Sequence, residues 1–199
     1  MRRLSVCALM MGLVFLTACG GEDRGENTDE LALDMRGTYL SLSGCTAELE
    51  LIADYGERVY EYGLSLSYQR EGDTTITVTA PEEAAGVTAR ITGGETFLEY
   101  DGASLETGPL DGSGLSPIEA VPLMLRCAQE GFIAETGMET LEEAQYLRIT
   151  CRNPEMEAGE GTEVVLWFSP ESYALERGEV LVDGVRVIGC TFENVEMTM

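Results

Sequence analysis

Hydrophobic and polar residues alternate along most of the chain beyond Gly44, which predicts antiparallel β-strands with one buried face. The longest run, residues 58–68, has three tyrosines and two leucines on one face, opposite glutamate, glycine and serine. Turn sequences such as Asp101-Gly102 separate neighbouring runs, so consecutive strands pair antiparallel. The predicted strands cover residues 45–53, 58–68, 74–80, 87–92, 96–100, 146–151, 162–169, 173–183 and 185–197.

Helical signals occur at three places in the same sequence. Thr28 or Asp29 can cap a short helix that continues to about residue 40. Pro122 suits the first position of a second helix, and Gly131 ends it. A third, short and acidic helix is compatible with residues 138–144.

The order of these elements predicts a mainly β (α+β) fold in one domain over residues 31–199. A long antiparallel sheet that twists strongly tends to curl, and helices can cover the open side of the curl. We therefore expect a curled antiparallel sheet with a short N-terminal helix and a central helix over its open side.

The first twenty residues have the order of a bacterial export signal. Two arginines precede an apolar run, residues 4–16, that is too short to span a membrane comfortably. Small residues then lead into Cys19, an order that resembles the lipobox of bacterial lipoproteins, in which cleavage precedes a lipidated cysteine. This interpretation predicts a signal peptide over residues 1–18, lipid attachment at Cys19 and a flexible spacer over residues 19–30.

Lipidation would anchor the domain to the extracytoplasmic face of a cell membrane. Each buried methylene contributes about 0.8 kcal/mol, so two or three acyl chains hold the protein firmly where one would exchange. The alternative is an ordinary signal peptide in which Cys19 stands by chance.

Charge limits the classes of partner. The chain has 36 acidic and 12 basic residues, all arginine, and a formal net charge of −24. Loss of the predicted signal peptide removes two arginines and brings the charge to about −26. We expect no nucleic-acid partner, whose phosphates would be repelled, and no adsorption to anionic lipid.

The chain contains no histidine, the usual general base and the commonest transition-metal ligand. Serine–histidine and cysteine–histidine nucleophile pairs are therefore excluded. The acidic pairs Glu82-Glu83 and Glu142-Glu143 are typical of solvated charge. We expect neither an enzyme nor a cofactor or metal site.

Six cysteines have three explanations. Cys7 leaves with the signal peptide, and Cys19 is the predicted lipid site. The remaining four are an even set that could form disulfides outside the cytoplasm, in any of three connectivities, or pack as free buried thiols. The candidate disulfide cysteines are Cys45, Cys127, Cys151 and Cys190.

Several segments of the sequence resemble the LolA-like lipoproteins of bacteria, a group that includes sporulation and germination lipoproteins. They are residues 78–88, residues 97–102 followed by a proline-initiated helix, and the stretch from Phe168 through Gly184 to Asn194. The resemblance implies a half-open antiparallel β-barrel with helices across its mouth and an apolar hollow that accepts acyl chains. The predicted lipid anchor departs from the soluble carrier of this family, and no residue here matches the arginine that closes the carrier's lid.

Alternation indicates which side chains would line such a hollow. They come from the second and third predicted strands and from the central helix: Tyr60, Tyr62, Leu64, Leu66, Ile76, Val78, Met124 and Leu125. One hypothesis is that these side chains bind a lipid acyl chain or another amphiphile, in support of envelope lipid or lipoprotein handling. The other is that they form a packed core, and the domain docks and regulates an envelope protein from its outer surface.

Overall fold

The computed structural model describes residues 23–199, and the side chains from residue 27 onward. The predicted signal peptide and Cys19 lie outside the described residues. Two helices and eleven strands follow one another along the chain. They are α1 (Asp23–Ser41), β1 (Gly44–Asp54), β2 (Val59–Gln69), β3 (Thr74–Ala80), β4 (Thr88–Thr92), β5 (Glu95–Tyr100), β6 (Ala103–Gly108), α2 (Pro117–Glu130), β7 (Ile133–Leu141), β8 (Ala144–Arg152), β9 (Thr162–Phe168), β10 (Leu175–Val182) and β11 (Val185–Thr198).

All eleven strands belong to one antiparallel sheet, in the order β6-β5-β4-β3-β2-β1-β11-β10-β9-β8-β7. The chain builds the sheet outward from β1 to β6, returns through α2, and builds β7 to β11 back to the other side of β1. The sheet is not closed, so β6 and β7 are its two edges. This is the curled, mainly β fold with two helices that the sequence predicted.

Alternation along β1 is strict: every second residue from Cys45 to Ala53 is buried, and the residues between them are exposed. The register carries this inner face across the sheet, since Leu49 lies opposite both Leu64 on β2 and Phe192 on β11. On β9, Phe168 is buried on the inner face and Trp167 lies on the outer face. The two helices pack against the inner face and complete the core.

Three local predictions are wrong. The first helix begins at Asp23 and not at Thr28 or Asp29, so residues 23–30 of the predicted spacer are helical. Acidic residues near a helix N-terminus favour this earlier start. The second helix begins at Pro117, after Ser116, whose hydroxyl donates to the Glu119 carboxylate at 3.2 Å.

The acidic helix expected at residues 138–144 is instead the hairpin between β7 and β8. Glu142 and Glu143 form its turn with φ values of 50° and 75°, a left-handed conformation that a helix cannot contain. Strand β7 was not predicted, and neither was β6. Both are edge strands whose alternation is weak, because partly or fully exposed residues occupy most of their positions.

Candidate functional site

Helix α1 covers the inner face with a narrow stripe. Buried residues occur at every third or fourth position, which places them on one side of the helix. The Tyr39 ring meets the Phe168 ring edge-on at 5.4 Å, and the Leu175 amide donates to the Tyr39 hydroxyl at 3.1 Å. Burial raises the pKa of Tyr39. The stripe consists of Thr28, Ala32, Met35, Tyr39 and Leu42.

Two arginines fix the C-terminal ends of the helices. Arg36 of α1 donates to the carbonyl of Gly131 at 2.8 Å and to that of Cys127 at 3.4 Å, at the end of α2. Arg70, after β2, donates to the carbonyls of Leu42 and Tyr39 at the end of α1. A cation at a helix C-terminus donates to carbonyls that have no partner within the helix and interacts favourably with the negative end of the helix dipole. These contacts tie α1 to α2 and to the sheet.

The eight residues predicted to line a hollow do not share one environment. Five are at most 4% exposed and belong to the packed core: Leu64, Leu66, Ile76, Met124 and Leu125. Tyr62 and Val78 are partly buried against that core, and Tyr60 is 39% exposed. The helices therefore occupy the inner face around these five side chains, and their role in ligand binding stays a prediction.

The apolar inner face continues beyond the helices toward the free edge of the sheet. One row of mutually paired residues crosses five strands, and we call it the apolar row. Its first three members are at most 3% exposed, the fourth is half-buried, and the last, on the edge strand β6, is 65% exposed. From β2 to β6 the row consists of Leu66, Ile76, Ala89, Leu98 and Leu105.

Tyrosines gather at the end of the sheet where β2 begins. The rings of Tyr60 and Tyr62 stack at 6.4 Å, and Tyr55 meets Tyr60 edge-on at 6.1 Å. The Tyr55 hydroxyl donates to the Leu115 carbonyl at 2.7 Å, which ties the turn after β1 to the loop before α2. Desolvation raises the pKa of Tyr55.

The two edges of the sheet differ in protection. Strand β7 lies beside α1, and Thr136 of β7 donates to the Asp29 carboxylate at 2.6 Å. Strand β6 forms its ladder with β5 on one side, and five of its six residues are exposed. An unguarded edge presents backbone donors and acceptors that another chain can pair with.

The outer face has a groove of about 650 Å³ above β2, β1, β11 and β10. Gly63 and Gly189 leave its floor without side chains, and Ile52 between them is 45% exposed. Arg177 and Arg186 line one wall, but both bind the Glu179 carboxylate, at 2.7 and 3.1 Å. The two arginines of the groove thus already share one carboxylate within the sheet.

The four candidate disulfide cysteines are free, buried thiols in the structure. Cys45, Cys151 and Cys190 face the core, as alternation predicted. Cys127 is near the end of α2, and the Cys151 thiol donates to its carbonyl at 3.7 Å. Among residues 23–199, no three acidic, cysteine or histidine side chains form a metal-binding group.

The open antiparallel sheet with two helices on its inner face is the architecture that the sequence resemblance implied. An uncharacterised conserved protein from Thermus thermophilus superposes with a TM-score of 0.53 at 12% identity, over 86% of this chain and 88% of that one. A LolA superfamily protein from Nitrosomonas europaea gives 0.43 at 9% identity, over 88% and 94%. The Mycobacterium tuberculosis lipoprotein LppX gives 0.46 at 13% identity, over 87% and 95%. No family model matches the sequence, and no curated protein matches it significantly.

Neither helix in the described part of the chain combines the length and apolar character needed to cross a membrane.

Sequence reasoning missed two features of the site. One is Arg36, an arginine of α1 with no local signal for a partner 91 to 95 residues away. The other is the β6 end of the apolar row, where Leu105 is the one large apolar residue of a short polar strand.

Proposed function

We propose that this chain is a membrane-anchored, non-catalytic lipoprotein that docks an extended segment of an extracytoplasmic protein along β6. The observation that carries this proposal is the apolar row, which is buried from Leu66 to Ala89 and becomes exposed at Leu105 on an unguarded strand. A strand added to β6 would continue both the backbone ladder and the row of inner-face side chains.

The chemistry of β6 suits such a partner. Ala103 and Leu105 lie on the inner side, and Ser104 and Glu106 lie on the outer side. Tyr100, at the adjoining turn, is 55% exposed beside the same edge. An apolar side chain on the partner could contact Leu98 and Leu105, removing both from water at about 25 cal/mol per Å² of apolar surface.

Charge indicates a basic segment. Asp101 and Glu106 are exposed at the β5–β6 edge, and no ion pair of either residue occurs among the described contacts. Glu99 binds Arg90 at 2.8 Å, so it is neutralised. The whole chain carries a net charge of −24, which would attract a cationic partner and accelerate its encounter.

Binding of an acyl chain inside the barrel is the competing hypothesis. It requires space between the helices and the sheet, and five of the eight predicted lining side chains are packed there. We therefore assign recognition to the exposed end of the inner face. Uptake of acyl chains would then occur only if α1 and α2 moved away from the sheet.

Site-specific crosslinking tests the docking surface in cells that make the full chain. A photoreactive phenylalanine replaces Leu105 in one variant and Val185 in the control, because the two residues are 65% and 66% exposed on different parts of the sheet. We expect one protein to crosslink from position 105 and not from 185. Equal crosslinking from both positions would exclude β6 as the docking surface.

Affinity gives the second readout once that protein is purified. Leu105→Arg should weaken its binding at least tenfold, about 1.4 kcal/mol, while Val185→Arg leaves it unchanged. A crosslink between two copies of this chain would replace the partner with a homodimer. Saturable uptake of palmitate by the folded chain, unaffected by Leu105→Arg, would favour the barrel as the site.

Anchoring has a separate test, because Cys19 lies outside the described residues. Cys19→Ala should move the protein from the membrane fraction to the soluble or secreted fraction, since the acyl chains supply the attachment. If the variant and the unaltered chain fractionate alike, the lipoprotein hypothesis is wrong. Docking on β6 does not depend on this result.

A further inference from the structure

Two of the four thiols meet where α2 ends against β8. The Cys151 thiol donates to the Cys127 carbonyl at 3.7 Å. Both side chains are at most 9% exposed. The Cys151 sulfur thus lies against the backbone of Cys127 in a buried environment.

Gly131 makes this approach compatible with the helix end. A Cβ at position 131 would lie 2.9 Å from Cys127 Cα and 3.2 Å from Cys151 Sγ, closer than ordinary contacts allow. Its φ of −60° is accessible to any residue, so the glycine is required by space and not by backbone conformation. The missing side chain at position 131 therefore lets the end of α2 approach the Cys151 sulfur closely.

We propose that Cys127 and Cys151 form an intramolecular disulfide that joins α2 to β8, while Cys45 and Cys190 remain thiols. Disulfide formation requires Cα atoms within about 7 Å of each other and Cβ atoms about 4 Å apart. Because the Cys151 thiol already contacts the backbone of Cys127, only a small side-chain movement is needed to bring the two sulfur atoms together.

The sheet register excludes the competing pairs within the sheet. Cys190 lies opposite Leu51 on β1, six residues from Cys45, a separation of about 20 Å along the strand. Cys151 is three strands from Cys190 and four strands from Cys45, which corresponds to about 14 and 19 Å across the sheet. Each of these distances is too long for a disulfide.

The oxidation needs an external disulfide, supplied by a thiol–disulfide oxidoreductase or a small-molecule disulfide. One thiolate attacks a sulfur of that disulfide, forms a mixed disulfide and releases one thiol. The second cysteine then loses its proton, attacks the mixed disulfide and releases the other thiol. In total two cysteine thiols are oxidised, and the external disulfide is reduced to two thiols.

Because both sulfurs are buried in the folded chain, the exchange would occur during folding, before α2 docks. The resulting bond would hold the same junction that Arg36 contacts, since Arg36 donates to the carbonyls of Cys127 and Gly131. It closes a loop of residues 127–151. A loop of this size should raise the melting temperature by about 6–12 °C relative to the reduced chain.

Peptide mapping tests the pairing on the full chain, exported by cells and solubilised in detergent. Free thiols are blocked by alkylation in denaturant, and the protein is digested with trypsin without reduction. All basic residues are arginine, so the four cysteines fall in separate peptides, residues 37–58, 127–148, 149–152 and 187–199. We expect peptide 127–148 linked to 149–152, and alkylated Cys45 and Cys190.

Alkylated Cys127 and Cys151 in the exported protein would overturn the proposal, as would a link from either residue to Cys45 or Cys190. Thermal unfolding gives an independent check that does not require mapping. Reductant should lower the melting temperature of the unaltered chain and of a Cys45→Ser, Cys190→Ser variant. It should not affect Cys127→Ala, Cys151→Ala, and equal sensitivity of the two variants would contradict the proposed pairing.

Discussion

The two parts of the sheet on either side of β2 have the same alternation but differ in how far their inner faces are buried. In the covered region, β7–β11 and β1, the inner face packs against α1 and α2. In the open region, β3–β6, burial decreases from Ile76 to Leu105 along one row. The apolar inner face is therefore core throughout the covered region, whereas in the open region it becomes surface toward β6.

The difference suggests that one region supplies stability and the other supplies a recognition surface. Together with α1 and α2, the covered region contains all four described cysteines, the helix-end carbonyls that Arg36 and Arg70 bind, and one protected edge, so it supplies stability. The open region has few such devices and ends in a free strand, as expected of a recognition surface. Substitutions of equal size should therefore affect stability in one region and binding in the other.

Truncation of a large inner-face residue should show the largest contrast. Phe168 is fully buried against Tyr39, so Phe168→Ala should lower the free energy of unfolding by about 3–5 kcal/mol. Leu105→Ala in the open region should change it by less than about 0.5 kcal/mol. Chemical denaturation measures both, and similar losses would show that the open region is also core.

Two glycines on neighbouring strands provide a matched pair of substitutions, with a smaller expected effect on the free energy of unfolding. A Cβ at Gly178 would collide with the Met124 thioether of α2, whereas at Gly189 on the next strand it would meet only Arg186 side-chain atoms, at 3.7 Å or more. Gly178→Ala should therefore cost about 1–3 kcal/mol, and Gly189→Ala should be close to neutral. Equal melting temperatures for the two variants would show that α2 does not press on β10.

The arginine that joins the helices should have a moderate effect. Arg36→Met keeps the apolar part of the side chain but leaves the carbonyls of Gly131 and Cys127 without their charged donor, at a cost of about 1–2 kcal/mol. Arg58→Met, which loses one exposed 3.5 Å contact with Tyr60, is the control. Amide hydrogen exchange near Gly131 should accelerate in the first variant alone.

Sequence reasoning identified most of the strands because alternation is a local property. Residues 45–53, 74–80 and 162–169 match β1, β3 and β9 within a residue or two at each end. The edge strands β6 and β7 were missed, since partly exposed strands lack a contrast between their faces. The start of α1 was also missed, because residues 23–30 are all polar or glycine and carry no hydrophobic periodicity.

The candidate site was less accessible to prediction. Alternation placed Leu64, Leu66 and Ile76 on the inner face but could not show whether a helix, a ligand or water covers them. That depends on long-range contacts such as the one between Arg36 and Gly131, which no local pattern encodes. The same limit left the pairing of the cysteines open, because it is set by where α2 ends on the sheet.

Alkaline pH should test how tightly the covered region is closed, because two buried thiols, Cys45 and Cys190, lie in it. Burial raises the pKa of Cys45 from 9.0 to about 11 and that of Cys190 to about 12, so the folded state favours the protonated thiols. Their contribution to stability is complete below pH 9 and is lost as the pH rises toward 11–12, by up to about 1.4 kcal/mol per pH unit for each thiol. A Cys45→Ala, Cys190→Ala variant keeps the same tyrosines and arginines. The difference between its pH series of unfolding free energies and that of the unaltered chain therefore isolates the two thiols. Parallel series from pH 8 to 11 would mean that the two thiols are solvated, and that the covered region is less tightly closed than its packing indicates.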